Sequence, residues 1–353
     1  SSRRETIQQG KQMTPQQALH RIIAHQHLAH DEMISLMRQI MQGEISPVLI
    51  AGIIIGLRVK NETIEEIAAA AKVMRELALD VKVAEQTHLV DTCGTGGDRS
   101  GTFNISTTVA FVAAGAGVKV AKHGNRAASS KSGSADVLEA LGVNITLTPE
   151  QASAIYKKVG IVFLFAPLFH PTLKHVVALR KALKIRTVFN ILGPFANPAQ
   201  TKIQIIGVPS KEHLSLLPAV AQKLGYTRAL IVHSEDGMDE VSTRAKTQAI
   251  LVEPKRITKL SIDPQRLGFK KPPLSALLGK DAAHNAEIVK KILHGERSPA
   301  RDIVVLNTAV ALFVVGKVKS ISVGIKQAEE SIDSGKAHEA LQQLIDATHA
   351  YRV

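Results

Sequence analysis

Between Thr14 and about Lys82, apolar residues recur with a helical period. Met33, Leu36, Met37, Ile40 and Met41 form an i, i+3, i+4, i+7, i+8 stripe, the pattern of a helix with one buried face. Thr14 with Gln17 reads as a capping box, and Pro15 takes the first helical position. Ser46-Pro47 opens another helix. Asn61 or Thr63 opens a fourth, with Glu65 and Glu66 in its first turn, where the helix dipole favours acids. The pattern predicts a small helical bundle, and its stripes are structural.

The pattern changes at His88. Short apolar runs follow at Leu89-Val90, Val118–Ala121, Ile161–Phe165, Ile203–Ile206 and Ala229–Val232. Helical stretches fall between them, at Ser134–Leu141, Pro149–Val159 and His213–Leu224. Alternating strands and helices predict a mostly parallel sheet flanked by helices. Ligands of such sheets sit beyond the carboxyl ends of the strands, so the loops after the strands are the places to look. From Ala282 to Val353 the period is helical again, punctuated by Gly295 and Gly335.

Composition narrows the function classes. A chain of 353 residues exceeds one small core and suggests two domains, or a large one with a lobe. Trp is absent and aromatics make up 3%, which argues against base stacking on aromatic platforms. The formal charge of +13 implies either a polyanionic partner or an anionic substrate drawn in by the field. Cys93 is the single cysteine, so no disulfide forms within the chain, and a reducing, cytoplasmic setting is expected. No apolar run is long enough to predict a membrane span. The basic start, Ser1-Ser2-Arg3-Arg4, is followed by no signal-peptide core.

Four segments carry chemistry. The first runs from Asp91 to Thr107: a strand end, then Gly94, Gly96, Gly97 and Asp98, then a helix opened by Asn104-Ile105-Ser106-Thr107. Glycines let backbone N–H groups approach an anion, and a helix start offers further free N–H groups. A strand, a glycine-rich turn and a helix N-terminus in series make a phosphate site. The spacing fits neither the Walker loop nor the dinucleotide fingerprint. The second segment, Lys122 to Ser130 followed by Ser132-Gly133-Ser134, offers Lys122, Arg126 and several hydroxyls, a set that suits a diphosphate. The third runs from Phe165 through His170 to Arg180 and on to Gly193-Pro194. The fork of Arg180 suits a carboxylate if a helix starts near Pro171. The fourth is Asp236-Gly237-Met238-Asp239-Glu240, whose crowded carboxylates suit a hard divalent cation or make a solvated acidic turn.

Together these segments resemble the anthranilate phosphoribosyltransferases. The resemblance runs from about Thr14 to the C-terminus. It includes Gly43-Glu44, Leu57 to Thr63, Gly94–Asp98, Asn104–Thr107, Lys122–Ser134, Arg186-Thr187, Phe189-Asn190, Gly193-Pro194, Asp239-Glu240 and Asn307. It implies a helical domain over residues 1–84, completed by helices near 168–187, and a larger α/β domain over 85–353. It further implies a homodimer formed through the helical domain, and Mg²⁺, two ions per subunit. The implied reaction joins anthranilate to phosphoribosyl pyrophosphate and releases pyrophosphate, in tryptophan biosynthesis. Gly94, Gly97, Asp98, Thr102, Asn104, Ile105, Ser106, Thr107, the stretch Lys122, His123, Gly124, Asn125, Arg126, Ala127, Ala128, Ser129 and Ser130, and Ser134 match the donor positions. Ser106, Asp239 and Glu240 match the metal positions. Gly94, Asn125 and Arg180 match the anthranilate positions, with His123, His170 and Pro194 along the same route. Lys122, Asn125, Arg180 and His123 are the expected catalytic residues, His123 being a candidate base. The chain departs from the family pattern at Asn61, at Pro209, and at Leu173 and Lys174, where some members place a Tyr toward the acceptor.

Two other readings share parts of this pattern. A pyrimidine nucleoside phosphorylase would have the same fold, but the Gly94–Asp98 loop joined to Asp239-Glu240 suits a metal-bound diphosphate better. A nucleic-acid-binding relative would exploit the basic stretch Arg244, Lys246, Lys255, Arg256, Lys259, Arg266, Lys270 and Lys271, whose bland reading is a solvated face.

Overall fold

The computed structural model describes residues 12–127 and 130–352. The basic N-terminus and the donor candidates Ala128 and Ser129 lie outside the described residues.

The chain opens with α1 (Pro15–Ile23), α2 (His30–Met41), α3 (Pro47–Lys60) and α4 (Ile64–Leu77). Thr14 caps α1 in a full capping box with Gln17, as the sequence predicts. Thr63, not Asn61, caps α4, in a box closed by Glu66. Asn61 instead ends α3 with a positive φ of 66°. All five residues of the predicted methionine-rich stripe on α2 are buried.

The α/β part begins with β1 (Leu89–Val90), α5 (Ile105–Gly115), β2 (Lys119–Gly124), α6 (Ser134–Ala140), α7 (Pro149–Val159) and β3 (Ile161–Phe165). Next come α8 (Ala166–Phe169), a 3-10 turn at Pro171–Leu173, α9 (Lys174–Leu183), α10 (Phe189–Leu192) and a second such turn at Gly193–Phe195. The chain then runs through β4 (Ile203–Gly207), α11 (Lys211–Lys223), β5 (Arg228–Ser234), β6 (Thr247–Glu253) and β7 (Arg256–Ile262). A 3-10 turn at Leu274–Leu277 leads to α12 (Ala282–Leu293), α13 (Pro299–Val314), α14 (Ile321–Asp333) and α15 (Lys336–His349).

Strands β1, β2 and β3 are parallel neighbours in that order. Strand β4 pairs in parallel with β5, and β6 and β7 continue antiparallel. Asp91 joins the two sheets. Its N–H donates to the Ile203 carbonyl at 3.3 Å, and its carbonyl accepts from Ile205 at 3.1 Å. The spatial order is therefore β3-β2-β1-β4-β5-β6-β7. Successive strands lie on one side of β1 up to β3, then β4 returns to its other side. That reversal of strand order opens a crevice at the carboxyl end of β1, where open α/β sheets bind ligands.

The β6–β7 hairpin is where the sheet departs from a parallel pattern, and Lys255, Arg256 and Lys259 of the basic stretch lie on it, the others flanking it. The outer strand β7 is largely exposed. Arg256 pairs with Glu253, Arg266 with Asp263, and Arg244 with Asp236. Charges on an edge strand hinder edge-to-edge pairing with other chains, which is the bland reading of this stretch.

Two buried cores form. One lies between the β1–β3 sheet and helices α5–α7 and α12–α15. The other unites α1–α4 with Val176 of α9, Phe189 and Leu192 of α10, and one face of β4, β5 and α11. Inside the bundle, the ammonium of Lys60 donates to Glu66 at 2.9 Å. Both side chains are buried, and Glu66 also accepts from the N–H of Leu28 and Thr63.

Candidate active site

A cavity of about 400 Å³ occupies the crevice beyond β1. Fourteen of the residues singled out by the sequence line it: Gly94, Asn104, Ser106, Thr107, Lys122, His123, Gly124, Asn125, Arg126, Ser134, His170, Arg180, Asp239 and Glu240. Four of the five loops after strands β1–β5 contribute, together with the link between the bundle and the sheet.

The floor is set by Asp91 at the end of β1. Its buried carboxylate accepts from Cys93 N–H at 3.0 Å and from the Asn197 amide at 2.9 Å. Asn197 also donates to the Ala121 carbonyl at 2.8 Å, so one residue ties the end of β1 to β2. Burial pushes the Asp91 carboxyl up to about 6, against the pull of Lys122. The Cys93 thiol, on the cavity wall, is pushed up to about 12 by burial and the Asp91 charge, so it is not a thiolate nucleophile.

Above this floor runs the glycine loop. Gly96 and Gly97 have φ of +68° and +88°, a backbone region that favours glycine. Thr95 N–H donates to the Gly207 carbonyl at 2.9 Å. Gly207 is compelled by packing: a Cβ there would lie 1.6 Å from the Asp239 carbonyl oxygen. Asp98 ties the glycine loop to the acidic loop. It accepts from the Asp239 N–H at 3.2 Å and from the N–H and hydroxyl of Ser100.

Opposite the loop, α5 presents its N-terminus. No side chain caps it, because Asn104 is committed elsewhere. The Asn104 amide donates to Ser132 O, and its oxygen accepts from Ser132 Oγ and from Asn285 Nδ2. First-turn N–H groups of α5 are thus left for a ligand. Lys122, buried, donates to Ser106 Oγ at 3.1 Å.

Asp239 and Glu240 are half-buried carboxylates with their proton affinity raised. Burial is the main cause for each. For Asp239 the charges of Glu240 and Asp98 add to it, and Glu240 is pushed up to about 8 even with Lys122 nearby. Crowded negative charge of this kind fits a divalent cation. Among the described residues no group of three His, Cys, Asp or Glu side chains forms a closed cage. A site of two carboxylates completed by substrate oxygens matches the habits of Mg²⁺. Asn307 holds this loop from α13: its amide donates to Val241 O at 2.8 Å, and its oxygen accepts from Val241 N–H at 3.0 Å.

Arg180, on α9, lines the other end of the cavity. It has no carboxylate partner among the described residues, and burial lowers its proton affinity. Phe189 lies under its guanidinium at 5.7 Å. His123 and His170 stand beside it, their Nε2 atoms 3.1 Å apart. His123 Nδ1 lies 3.2 Å from the Gly193 carbonyl, which only accepts, so this nitrogen carries the proton and donates. His123 Nε2 then accepts from His170. Burial pushes His123 to about 3 and His170 to about 4. Both nitrogens of His123 are engaged, so the candidate base is a structural strut as it stands.

Several predicted residues stand outside the cavity lining. Gly97 and Asp98 do not line it, and Thr102 bridges to Leu278. Ile105 and Pro194 are buried. Arg126 lines the cavity but its guanidinium is paired with Asp136 at 3.1 Å and with Glu139. Ala127 N–H is taken by Asp136, and Ser130 Oγ donates to Ser132 O. In turn, the cavity includes Met74, Leu173, Phe189 and Asn190, and Asn197 and Gly207 brace it from behind. Leu173 is the place where the family pattern puts a Tyr toward the acceptor, and nothing in the local sequence announces Met74 or Asn197.

Comparison with known proteins identifies the family. Residues 86–338 match the a/b domain of the glycosyl transferase family, and residues 16–78 match its helical bundle domain. An anthranilate phosphoribosyltransferase of Thiobacillus denitrificans is 50% identical over 94% of this chain and 97% of its own length. One from Nitrosospira multiformis is 48% identical over 95% of this chain and 96% of its own. Among solved structures, anthranilate phosphoribosyltransferase from Thermus thermophilus superposes with a TM-score of 0.88 at 40% identity, covering 94% of this chain and 99% of that one. The Saccharomyces cerevisiae enzyme in complex with PRPP and Mg gives 0.83 at 30% identity, covering 96% and 94%.

Proposed function

Since the chain belongs to the anthranilate phosphoribosyltransferases of the glycosyl transferase family, we propose that its cavity joins anthranilate to phosphoribosyl pyrophosphate, with Mg²⁺, as a step of tryptophan biosynthesis. The observation that carries this reading is the pairing, in one cavity, of an anion cradle beside two half-buried, mutually repelling carboxylates with an unpaired Arg180 at the opposite end.

In this reading the anomeric C–O bond of the donor breaks and its electron pair leaves with pyrophosphate. The amine nitrogen of anthranilate forms the new bond to that carbon and releases one proton. Lys122 and the uncapped N-terminus of α5 hold the donor phosphates and stabilise the charge that grows there. Asp239 and Glu240, with Ser106, are the residues that would hold Mg²⁺, which when bound supplies charge neutralisation at the diphosphate. Arg180 holds the anthranilate carboxylate through its planar fork, and Asn125 orients the amine. The His123–His170 strut keeps the acceptor wall neutral and in place. Much of the rate then comes from positioning.

We also propose that the chain is a homodimer through its helical domain. Val48 and Val59, three turns apart on one face of α3, are 84% and 65% exposed, and Ile23 at the end of α1 is 64% exposed. An apolar stripe of that kind marks an interaction surface.

Steady-state assays of the purified protein test the assignment. The expected result is loss of anthranilate fluorescence that requires both phosphoribosyl pyrophosphate and Mg²⁺, with no phosphorolysis of thymidine or uridine. Phosphorolysis without anthranilate turnover would replace the assignment with a nucleoside phosphorylase.

A further inference from the structure

Outside the cavity, behind the glycine loop, lies a cluster of cations that the reaction as described does not use. Arg186, in the link between α9 and α10, presses its guanidinium against Gly97: a Cβ on Gly97 would lie 1.7 Å from Arg186 Nη1 and 2.8 Å from its Cζ. The Nη2 of Arg186 is enclosed and has no hydrogen-bond partner in the protein. Arg58, at the end of α3, and Arg99, just past the glycine loop, both bring like charge to it. Asp239, on the cavity side, offsets Arg186, and Glu62 lies in the field of Arg58. His213, in the first turn of α11, is bound to Ser210 Oγ at 2.7 Å and lies in the field of both Arg186 and Arg58. Among the described residues, none of Arg58, Arg99 and Arg186 has a carboxylate within salt-bridge distance, although Arg21, Arg38, Arg126, Arg228, Arg256 and Arg301 all do.

Like charges from three chain segments, none of them in an ion pair, repel one another. An enclosed N–H with no acceptor costs further free energy. An anion at this place relieves both, and a planar fork suits phosphate oxygens.

We propose that Arg58, Arg99 and Arg186 form a second anion site, at the junction of the helical bundle and the glycine loop, that takes a diphosphate-class anion without needing a metal. That pyrophosphate is its natural occupant rests on the function proposed above; the existence of the site does not. The carboxylates Asp239 and Glu240 repel pyrophosphate unless a divalent cation bridges them, so removing the cation separates the two places.

Calorimetric titration with inorganic pyrophosphate in EDTA tests the proposal. The wild-type chain is expected to retain a metal-independent site. Arg186→Gln, and separately the double variant Arg58→Gln/Arg99→Gln, are expected to weaken it at least tenfold. Arg58 and Arg99 are exposed, so the double variant leaves the core untouched, and thermal unfolding checks that Arg186→Gln is folded. Absence of metal-independent binding in the wild type, or unchanged affinity in a folded variant, overturns the site. If pyrophosphate binds this way but anthranilate is never consumed, the site stands and the assigned reaction falls.

Discussion

Arg180 and the Asp239–Glu240 pair are the residues on which the chemistry turns. A hydrogen bond to a charged group is worth roughly 1.5 to 3 kcal/mol. Arg180→Ala is therefore expected to raise KM for anthranilate about 10- to 100-fold while leaving KM for the donor nearly unchanged. Equal effects on both, measured in the same steady-state assay, would remove Arg180 from the acceptor end. The acidic pair makes a prediction in pH. Glu240 titrates near 8 in the folded, metal-free chain, above its ordinary value of 4.5, and Asp239 is raised as well. The folded state therefore binds these protons more tightly than the unfolded one, and their stabilising contribution is lost as pH rises through about 8. His123 and His170 work the other way, with folded values of about 3 and 4, but their contribution is complete above the ordinary histidine value of 6.5. Between about pH 6.5 and 8 the melting temperature of the metal-free protein should fall, and Mg²⁺ should restore it. A flat profile there, or one that Mg²⁺ leaves unmoved, counts against Asp239 and Glu240 as ligands.

At the scale of elements, the loops after β1, β4 and β5 work as one unit. Gly207 at the end of β4 leaves room for the Asp239 carbonyl, and Asp98 and Asn307 hold the same acidic loop from two other sides. Gly207→Ala places its new carbon 1.6 Å from that carbonyl, so the acidic loop must move. The expected outcome is at least a tenfold loss of Mg²⁺ affinity, read by titrating activity with metal. Unchanged Mg²⁺ dependence in the folded variant would mean that the loop position does not matter. Local signals made much of this legible. The capping boxes at Thr14 and Thr63, the methionine stripe of α2 and the glycines after β1 each obey a short-range rule, and the structure keeps them. The β6–β7 hairpin is hard to read because basic residues on and around it suggest a charged surface, although Thr247–Glu253 is a mostly apolar run. Asn197 could not be read at all. Its importance comes from bonds to Asp91 and Ala121, 106 and 76 residues away in sequence. The same holds for His123, whose two partners, His170 and Gly193, become visible only when three loops meet.

At the scale of the molecule, the cavity depends on the bundle and the sheet being held in register. Helices α9 and α10 bury Val176, Phe189 and Leu192 in the bundle core, and the same stretch delivers Arg180 to the cavity. The buried Lys60–Glu66 pair fixes the α3–α4 turn within that bundle. Removing one partner strands the other charge, so Glu66→Ala should destabilise the fold by about 3 to 5 kcal/mol, measurable by urea unfolding. A loss below about 1 kcal/mol would show the pair to be incidental. Val48→Glu/Val59→Glu should convert a dimer to a monomer in sedimentation velocity, and an unchanged sedimentation coefficient would place any self-association elsewhere. The net charge of +13 suits a protein that gathers anionic substrates. The measurement closest to the central claim is the product itself. The purified chain, incubated with anthranilate, phosphoribosyl pyrophosphate and Mg²⁺, should yield N-(5-phosphoribosyl)anthranilate by mass spectrometry, with one pyrophosphate released per anthranilate consumed. Pyrophosphate release without that adduct, or no release at all, would contradict the account.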